Sequence, residues 1–166
     1  GYTGDYYLNN KLTKDLSLSE LSNIRNKKIG FVFQDYYLDE KLTALENVLL
    51  PTIINKDISS KEAKTKAIDL LNKFGLDKRT NHLPSTLSGG EKQRVAIVRA
   101  IINNPDILLA DEPTGNLDVE SEENVMFILK NISNSGKCVI MVTHNTDLIK
   151  YADKVYNLEN GVLNEK

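Results

Sequence analysis

The sequence predicts an α/β fold built on a mostly parallel sheet, and three observations carry that expectation. Residues 29–33, 107–110 and 138–142 are continuous apolar runs of strand length without in-out alternation, the pattern of strands covered on both faces. Segments with apolar residues at helical spacing separate them, opened by Ser-x-x-Glu and closed by glycine or proline. Strands that alternate with helices need crossover connections, which favour parallel pairing.

Taken in order, Ser17 and Glu20 form a capping-box pattern that opens a short helix ending near Arg25. Ile29-Gly30-Phe31-Val32-Phe33 follows as a buried strand. Ser59 and Glu62 open a second helix with Ala63, Ala67, Leu70, Leu71 and Phe74 on one side, closed by Gly75. A third runs over about 90–103, with Pro105 beyond its end. Residues 107–110 and 138–142 form further strands, and 155–163 reads as a hairpin turning at Asn160-Gly161.

A length of 166 residues suits one domain. The charges, 21 basic against 23 acidic, are spread along the chain without the basic block of a nucleic-acid face. No apolar run approaches the roughly 18 residues a membrane span requires. The single cysteine, Cys138, excludes an internal disulfide framework and a multi-cysteine zinc site, and its place in an apolar run makes it an expected core residue.

The polar residues collect where chemistry is expected. In open α/β sheets, ligands bind beyond the carboxyl ends of the strands, and here the three runs end in Gln34, in Asp111-Glu112 and in Thr143-His144. An amide, two carboxylates and an imidazole along one edge are the types that hold a divalent cation and orient a water. Taken alone, Gln34 reads as a strand-end polar residue, His144 as a loop histidine and Asp111 as a cap. The adjacent acids change the balance, because two carboxylates at the end of an apolar strand repel each other unless a cation compensates them.

Leu87-Ser88-Gly89-Gly90-Glu91 is a second constellation. Ser88 and Glu91 have capping-box spacing and would open the third helix with no function attached. That reading leaves the two consecutive glycines without a purpose. Bare amides and a serine hydroxyl at a helix N-terminus form an anion site suited to phosphate.

These residues resemble the ATP-binding cassette (ABC) ATPases. Leu87-Ser88-Gly89-Gly90-Glu91 is similar to their signature, and Ile107-Leu108-Leu109-Ala110-Asp111-Glu112-Pro113 to their Walker B strand. Thr114-Gly115-Asn116-Leu117-Asp118 resembles the D-loop, Gln34 the Q-loop glutamine and His144 the switch histidine. Five motifs stand in register over about 4–163. Gly30-Phe31-Val32-Phe33-Gln34, the stretch 42–48 and Ala110-Asp111-Glu112-Pro113-Thr114-Gly115 resemble the branch serving lipoprotein release, macrolide export and antimicrobial-peptide export or resistance. The fifth signature residue is Glu91, where glutamine is commoner.

The resemblance implies a P-loop NTPase-like domain with a helical subdomain over about 42–100, and Walker B, D-loop, switch histidine and hairpin over 105–166. It implies Glu112 as general base and His144 as the holder of the γ-phosphate. Asp111 and Gln34 would attend Mg²⁺. Ser88, Gly89, Gly90 and Glu91 would cap ATP bound by a second ATPase subunit, with Asp118 at the dimer interface. The implied partner is an integral-membrane permease, not nucleic acid, and the implied location is the cytoplasmic face of the cell membrane. The stretch 42–54 would face the permease through Leu45, Val48, Leu49 and Leu50, although core packing accounts for each of these equally well.

The family's phosphate loop, Gly-x-x-x-x-Gly-Lys-Ser/Thr, is not among the 166 residues. The one Gly-Lys, Gly136-Lys137, has Asn131 and Cys138 at the defining positions and precedes a strand. Since position 1 is glycine and the loop would precede the stretch matching 2–10, the expectation is a domain truncated at its N-terminal side and inactive as given. Two other readings compete with this one. Chromosome-maintenance and DNA-repair ATPases place a long coiled coil between Q-loop and signature, whereas Gln34 and Leu87 are only 53 positions apart. A module without a phosphate loop that lends its signature to a catalytic partner would have no use for Glu112 and His144.

Overall fold

The computed structural model describes residues 3–8, 11–55 and 57–166. In chain order the elements are β1 (Tyr7–Leu8), β2 (Lys11–Leu12), α1 (Leu18–Lys28), β3 (Ile29–Phe33), α2 (Ala44–Leu49), α3 (Ser60–Lys73), α4 (Gly89–Ile101), β4 (Ile107–Asp111), α5 (Val119–Asn134), β5 (Cys138–Val142), β6 (Tyr156–Glu159) and β7 (Val162–Glu165). Strands β3, β4 and β5 form a parallel sheet in that order. β1–β2 and β6–β7 are antiparallel pairs. The α/β class and the parallel pairing are as the sequence predicts.

Register sets the functional edge. Phe33 lies opposite Asp111, and Asp111 opposite Val142. All three strands therefore end level, and Gln34, Glu112 and Thr143 leave the sheet side by side.

The helices begin for local reasons. Ser17, Thr43, Ser59 and Ser88 each cap a helix and exchange bonds with a glutamate three residues on. Two helices escaped the sequence reading. α2 begins with Thr43-x-x-Glu46, the same signal found elsewhere. α5 begins at an Asp118 cap and buries Val125, Met126 and Leu129, a helical spacing visible in the sequence. α1 runs three residues past Arg25. The β6–β7 turn is as expected, with Asn160 and Gly161 both at positive φ, the requirement of a type I′ turn.

α4 is the shared wall of two cores. Val95 and Val98, with Ile102 just past the helix end, join Ala44, Val48, Ala67, Leu71 and Leu76 from the helical region. Ile97 joins Val32, Leu108, Ala110, Val125 and Leu129 from the sheet and α5. The contact with β3 is close: a Cβ at Gly30 would lie 2.4 Å from the Ala100 carbonyl oxygen, so glycine lets the helix reach the sheet.

Two expectations need correction. Among the described residues the sheet is covered on one face only. Val32, Leu108 and Ala110 meet α4 and α5, whereas on the other face Phe31, Ile140 and Val142 are 47%, 49% and 61% exposed. Successive strand residues point to opposite sides, so an apolar run does not reveal which side is covered. Cys138 is on the uncovered side and is exposed, not a core residue. Of the apolar residues in 42–54, Leu45 and Val48 belong to the core and Leu49 packs against it, while Leu50, Ile53 and Ile54 are exposed.

Candidate functional site

The centre of the edge is Glu112. Its N–H donates to the Val142 carbonyl at 2.9 Å and continues the ladder one residue past β4. Its φ of 44° is a left-handed conformation uncommon for a residue with a side chain. The carboxylate is fastened to the end of β5: Oε1 accepts from the His144 N–H at 2.8 Å, and Oε2 from the Thr143 hydroxyl at 3.0 Å. His144 Nδ1 lies 2.7 Å from Oε1. Burial pushes the Glu112 carboxyl up, but the bonds from His144 and Thr143 outweigh it and hold the group below the ordinary glutamate range. It is therefore ionised at neutral pH, so His144 Nδ1 carries the hydrogen between them and leaves Nε2 as the free ring nitrogen. The histidine side chain is 83% exposed, available to a ligand from outside.

Gln34 is locked to the loop after β4. Its Nε2 donates to Asn116 Oδ1, and Asn116 Nδ2 returns bonds to the Gln34 carbonyl and to Asp35, each at 3.3 Å. A Cβ at Gly115 would sit 2.8 Å from Gln34 Nε2, so the loop approaches this closely only because position 115 is glycine. Gln34 follows Phe33, which lies opposite exposed Asp111 in the register, and with its amide nitrogen turned to Asn116 its Oε1 is the atom left to offer a ligand. One carboxylate and one amide oxygen fit Mg²⁺, which keeps waters and takes phosphate oxygens in place of an all-protein cage. No group of three His, Cys, Asp or Glu residues able to hold a metal occurs among the described residues, in keeping with so sparse a donor set.

The second constellation sits at the start of α4. Ser88 is the cap, its Oγ accepting from the Glu91 N–H at 3.2 Å and its N–H donating to Glu91 Oε2 at 2.8 Å. Glu91 Oε1 accepts from Arg79 Nε at 2.7 Å. The two glycines have a packing reason that the sequence did not disclose. A Cβ at Gly90 would lie 2.7 Å from Ser121 Oγ, and one at Gly89 3.2 Å from the Tyr36 hydroxyl. Asp118 caps α5 and accepts from both the N–H and the hydroxyl of Ser121, at 2.9 Å each. The signature and the D-loop thus meet through Ser121 within one chain.

The structure brings Glu112, Thr143 and His144 into direct contact, and Gln34 with the 115–116 loop. Ser88, Gly89, Gly90 and Glu91 form a separate group joined by Arg79, Tyr36 and Ser121. Sequence reading missed Arg79, Tyr36, Ser121 and Gln93, and gave Asn116 no role beyond its place in the motif 114–118. Gln93 is fully buried and donates to the Pro113 carbonyl at 2.5 Å, tying α4 to the loop that carries Glu112. Tyr36 and Tyr37 both have positive φ, and Arg99 binds both their carbonyls. A buried glutamine inside an amphipathic helix was the one signal available for any of these.

Comparison with known proteins bears on the same residues. Residues 3–115 match the family described as ABC transporter. The chain is 41% identical over 160 residues to the lipoprotein-releasing system ATP-binding protein LolD of Psychrobacter arcticus, covering 96% of this chain and 71% of LolD. It is 42% identical over 161 residues to the macrolide export ATP-binding/permease protein MacB of Chlorobaculum tepidum, covering 97% of this chain and 24% of MacB. Among solved structures, the ATP-binding cassette MJ0796, described as a dimeric post-hydrolysis state bound to ADP and Pi, superposes with a TM-score of 0.86 at 42% identity over 99% of this chain and 73% of that one. The motifs, the parallel sheet and these relatives agree, and the chain belongs to the ABC transporter ATPases, in the branch that holds LolD and MacB.

Proposed function

We propose that this chain supplies the hydrolytic edge and the signature of an ATP-hydrolysing subunit that drives a membrane permease of the export or release type. The observation that carries this reading is Glu112, ionised and held by three bonds to Thr143 and His144 at the end of β4. A carboxylate has about four acceptor positions, so one remains for an attacking water. Orienting that water is the part a general base plays in phosphoryl transfer, where positioning and charge do most of the work. His144 gives one ring hydrogen to Glu112. A second ring hydrogen, the one a phosphate oxygen could accept, would sit on the free Nε2. Asp111 and Gln34 Oε1 would hold Mg²⁺, which supplies positive charge against the phosphates when bound.

Ser88, Gly89, Gly90 and Glu91 stand apart from Glu112, which supports a composite site whose signature comes from a second copy, with Asp118 at the interface. The dimeric state of the MJ0796 cassette supports it too. The helical subdomain spans about 42–100, and exposed Leu50, Ile53 and Ile54 give it an apolar surface for the permease. The subunit sits at the cytoplasmic face of the membrane; no helix among the described residues is long and apolar enough to cross it. No Gly-x-x-x-x-Gly-Lys-Ser/Thr loop to cradle the β- and γ-phosphates occurs within these 166 residues, and the polypeptide they form is expected to turn over no ATP by itself.

The test is Glu112→Gln in the full-length protein. Loss of the base lowers Mg²⁺-dependent hydrolysis by at least about 100-fold while ATP still binds. Unchanged turnover would remove Glu112 from this role.

A further inference from the structure

The four capping boxes differ in one respect. In the boxes at Ser17, Thr43 and Ser59 the cap hydroxyl donates its hydrogen to the glutamate, at 2.7, 2.8 and 2.6 Å. In each of these one glutamate oxygen, Oε2, accepts both that hydroxyl and the cap N–H. At Ser88 the backbone half of the box is intact, but the hydroxyl donates no hydrogen bond of good geometry to Glu91 or to another acceptor among the described residues, and its hold on the Glu91 carboxyl is the weakest of the contacts that lower that group, behind those of the Ser88 N–H and Arg79. Only here does a second residue engage the glutamate: Arg79 Nε binds Oε1 at 2.7 Å, and the Glu91 side chain is only 18% exposed.

Arg79 is well anchored for this. It ends the short turn Asp77–Arg79, its N–H donates to the carbonyl of fully buried Leu76, and its own carbonyl accepts from His82. The next residues cap α2: the N–H groups of Ala44 and Leu45 donate to the His82 and Thr80 carbonyls at 2.8 and 3.0 Å. The backbone that carries the guanidinium is thus anchored, and its charge-assisted bond to Glu91 is directional.

We propose that Arg79 is a positioning residue for the signature. By drawing the Glu91 carboxylate to itself, it keeps Glu91 off the Ser88 hydroxyl and leaves that hydrogen free for a phosphate oxygen of the nucleotide. Without Arg79, the Ser88 box would relax to the form of the other three, and the hydroxyl would be spent on Glu91. The inference rests on the reading that Ser88 binds nucleotide, and it adds the residue that keeps Ser88 available.

The experiment is a double-mutant cycle on the full-length protein, reading kcat and KM for Mg-ATP hydrolysis alongside thermal stability. Arg79→Ala lowers kcat/KM about fivefold to tenfold, the worth of one hydrogen bond. Arg79→Lys, which keeps the charge, recovers part of that. In a Glu91→Ala background, where no side-chain acceptor competes for the hydroxyl, Arg79→Ala causes no further loss. An equal loss in both backgrounds would overturn the proposal and leave Arg79 as a structural residue. Ser88→Ala separates the two levels of inference. If it lowers kcat/KM while Arg79→Ala does not, the role of Arg79 fails alone. If Ser88→Ala has no effect, the nucleotide reading of Ser88 fails with it.

Discussion

Gly30→Ala tests how the fold places the signature. Gly30 is buried in β3, where the chain touches α4. An alanine Cβ there would lie 2.4 Å from the Ala100 carbonyl oxygen and 3.0 Å from Leu108 Cδ1. Ordinary contact begins near 3.4 Å, so α4 would have to retreat by about 1 Å. The obstacle is helix backbone, which cannot turn aside as a side chain would. Overpacking of this kind costs about 1–3 kcal/mol, and a backbone neighbour puts this site near the top of that range, at about 3 kcal/mol. For a chain of this size that corresponds to a fall in Tm of about 6–12 °C. Because α4 walls both cores, urea unfolding followed by circular dichroism should show a lower midpoint with an unchanged m-value. Gly115→Ala is the control. Its Cβ would meet Gln34 Nε2 at 2.8 Å, the mobile end of a side chain, so Gln34 swings away from Asn116 at a cost under about 1 kcal/mol. Stability then holds while ATP turnover falls. A Gly30→Ala protein as stable as the wild type would refute the close β3–α4 packing on which this account depends.

Three other outcomes follow from the same structure. Asn47→Ala should cost about 2 kcal/mol in urea unfolding, because the fully buried amide accepts from the Asp39 N–H and donates to the Leu42 carbonyl, which both lose that partner, while the Asp39 and Thr43 carbonyls it also reaches keep backbone bonds from Leu42 and Asn47. Leu71→Ala, at the centre of the helical core, should cost about 2–5 kcal/mol by the same measurement. Glu112 gives a pH signature. Its folded pKa is lowered, so its contribution is present above the unfolded glutamate pKa near 4.5 and is lost as pH falls through the lower folded value. The Tm difference between wild type and Glu112→Gln should therefore be constant near neutral pH and shrink below about pH 4.5, and a difference unchanged to pH 3 would contradict the assignment.

Much of this was legible in the sequence because the signals were local. Capping boxes at Ser17, Ser59 and Ser88, the strand at 29–33 and the Asn160-Gly161 turn each depend on residues a few positions apart. The edge residues were legible for a topological reason: parallel strands of equal length in register end level, so Gln34, Glu112 and Thr143 had to be neighbours. What stayed hidden depends on contacts between distant segments. The bonds of Arg79 to Glu91 and of Gln93 to Pro113, and the approach of Gly30 to Ala100, leave no periodic trace. The covered side of the sheet was equally hidden, since Cys138, Ile140 and Val142 are as apolar as the buried positions beside them. The paired glycines pointed to a ligand, yet Ser121 and Tyr36 give them a second reason to be small.

The most direct measurement is the nucleotide content and oligomeric state of the full-length Glu112→Gln protein after incubation with Mg-ATP and size-exclusion chromatography. The account predicts a dimer retaining two uncleaved ATP molecules, because the water-orienting carboxylate is gone while both signatures still close on nucleotide. A protein that stays monomeric, or that elutes with ADP after normal turnover, would contradict it.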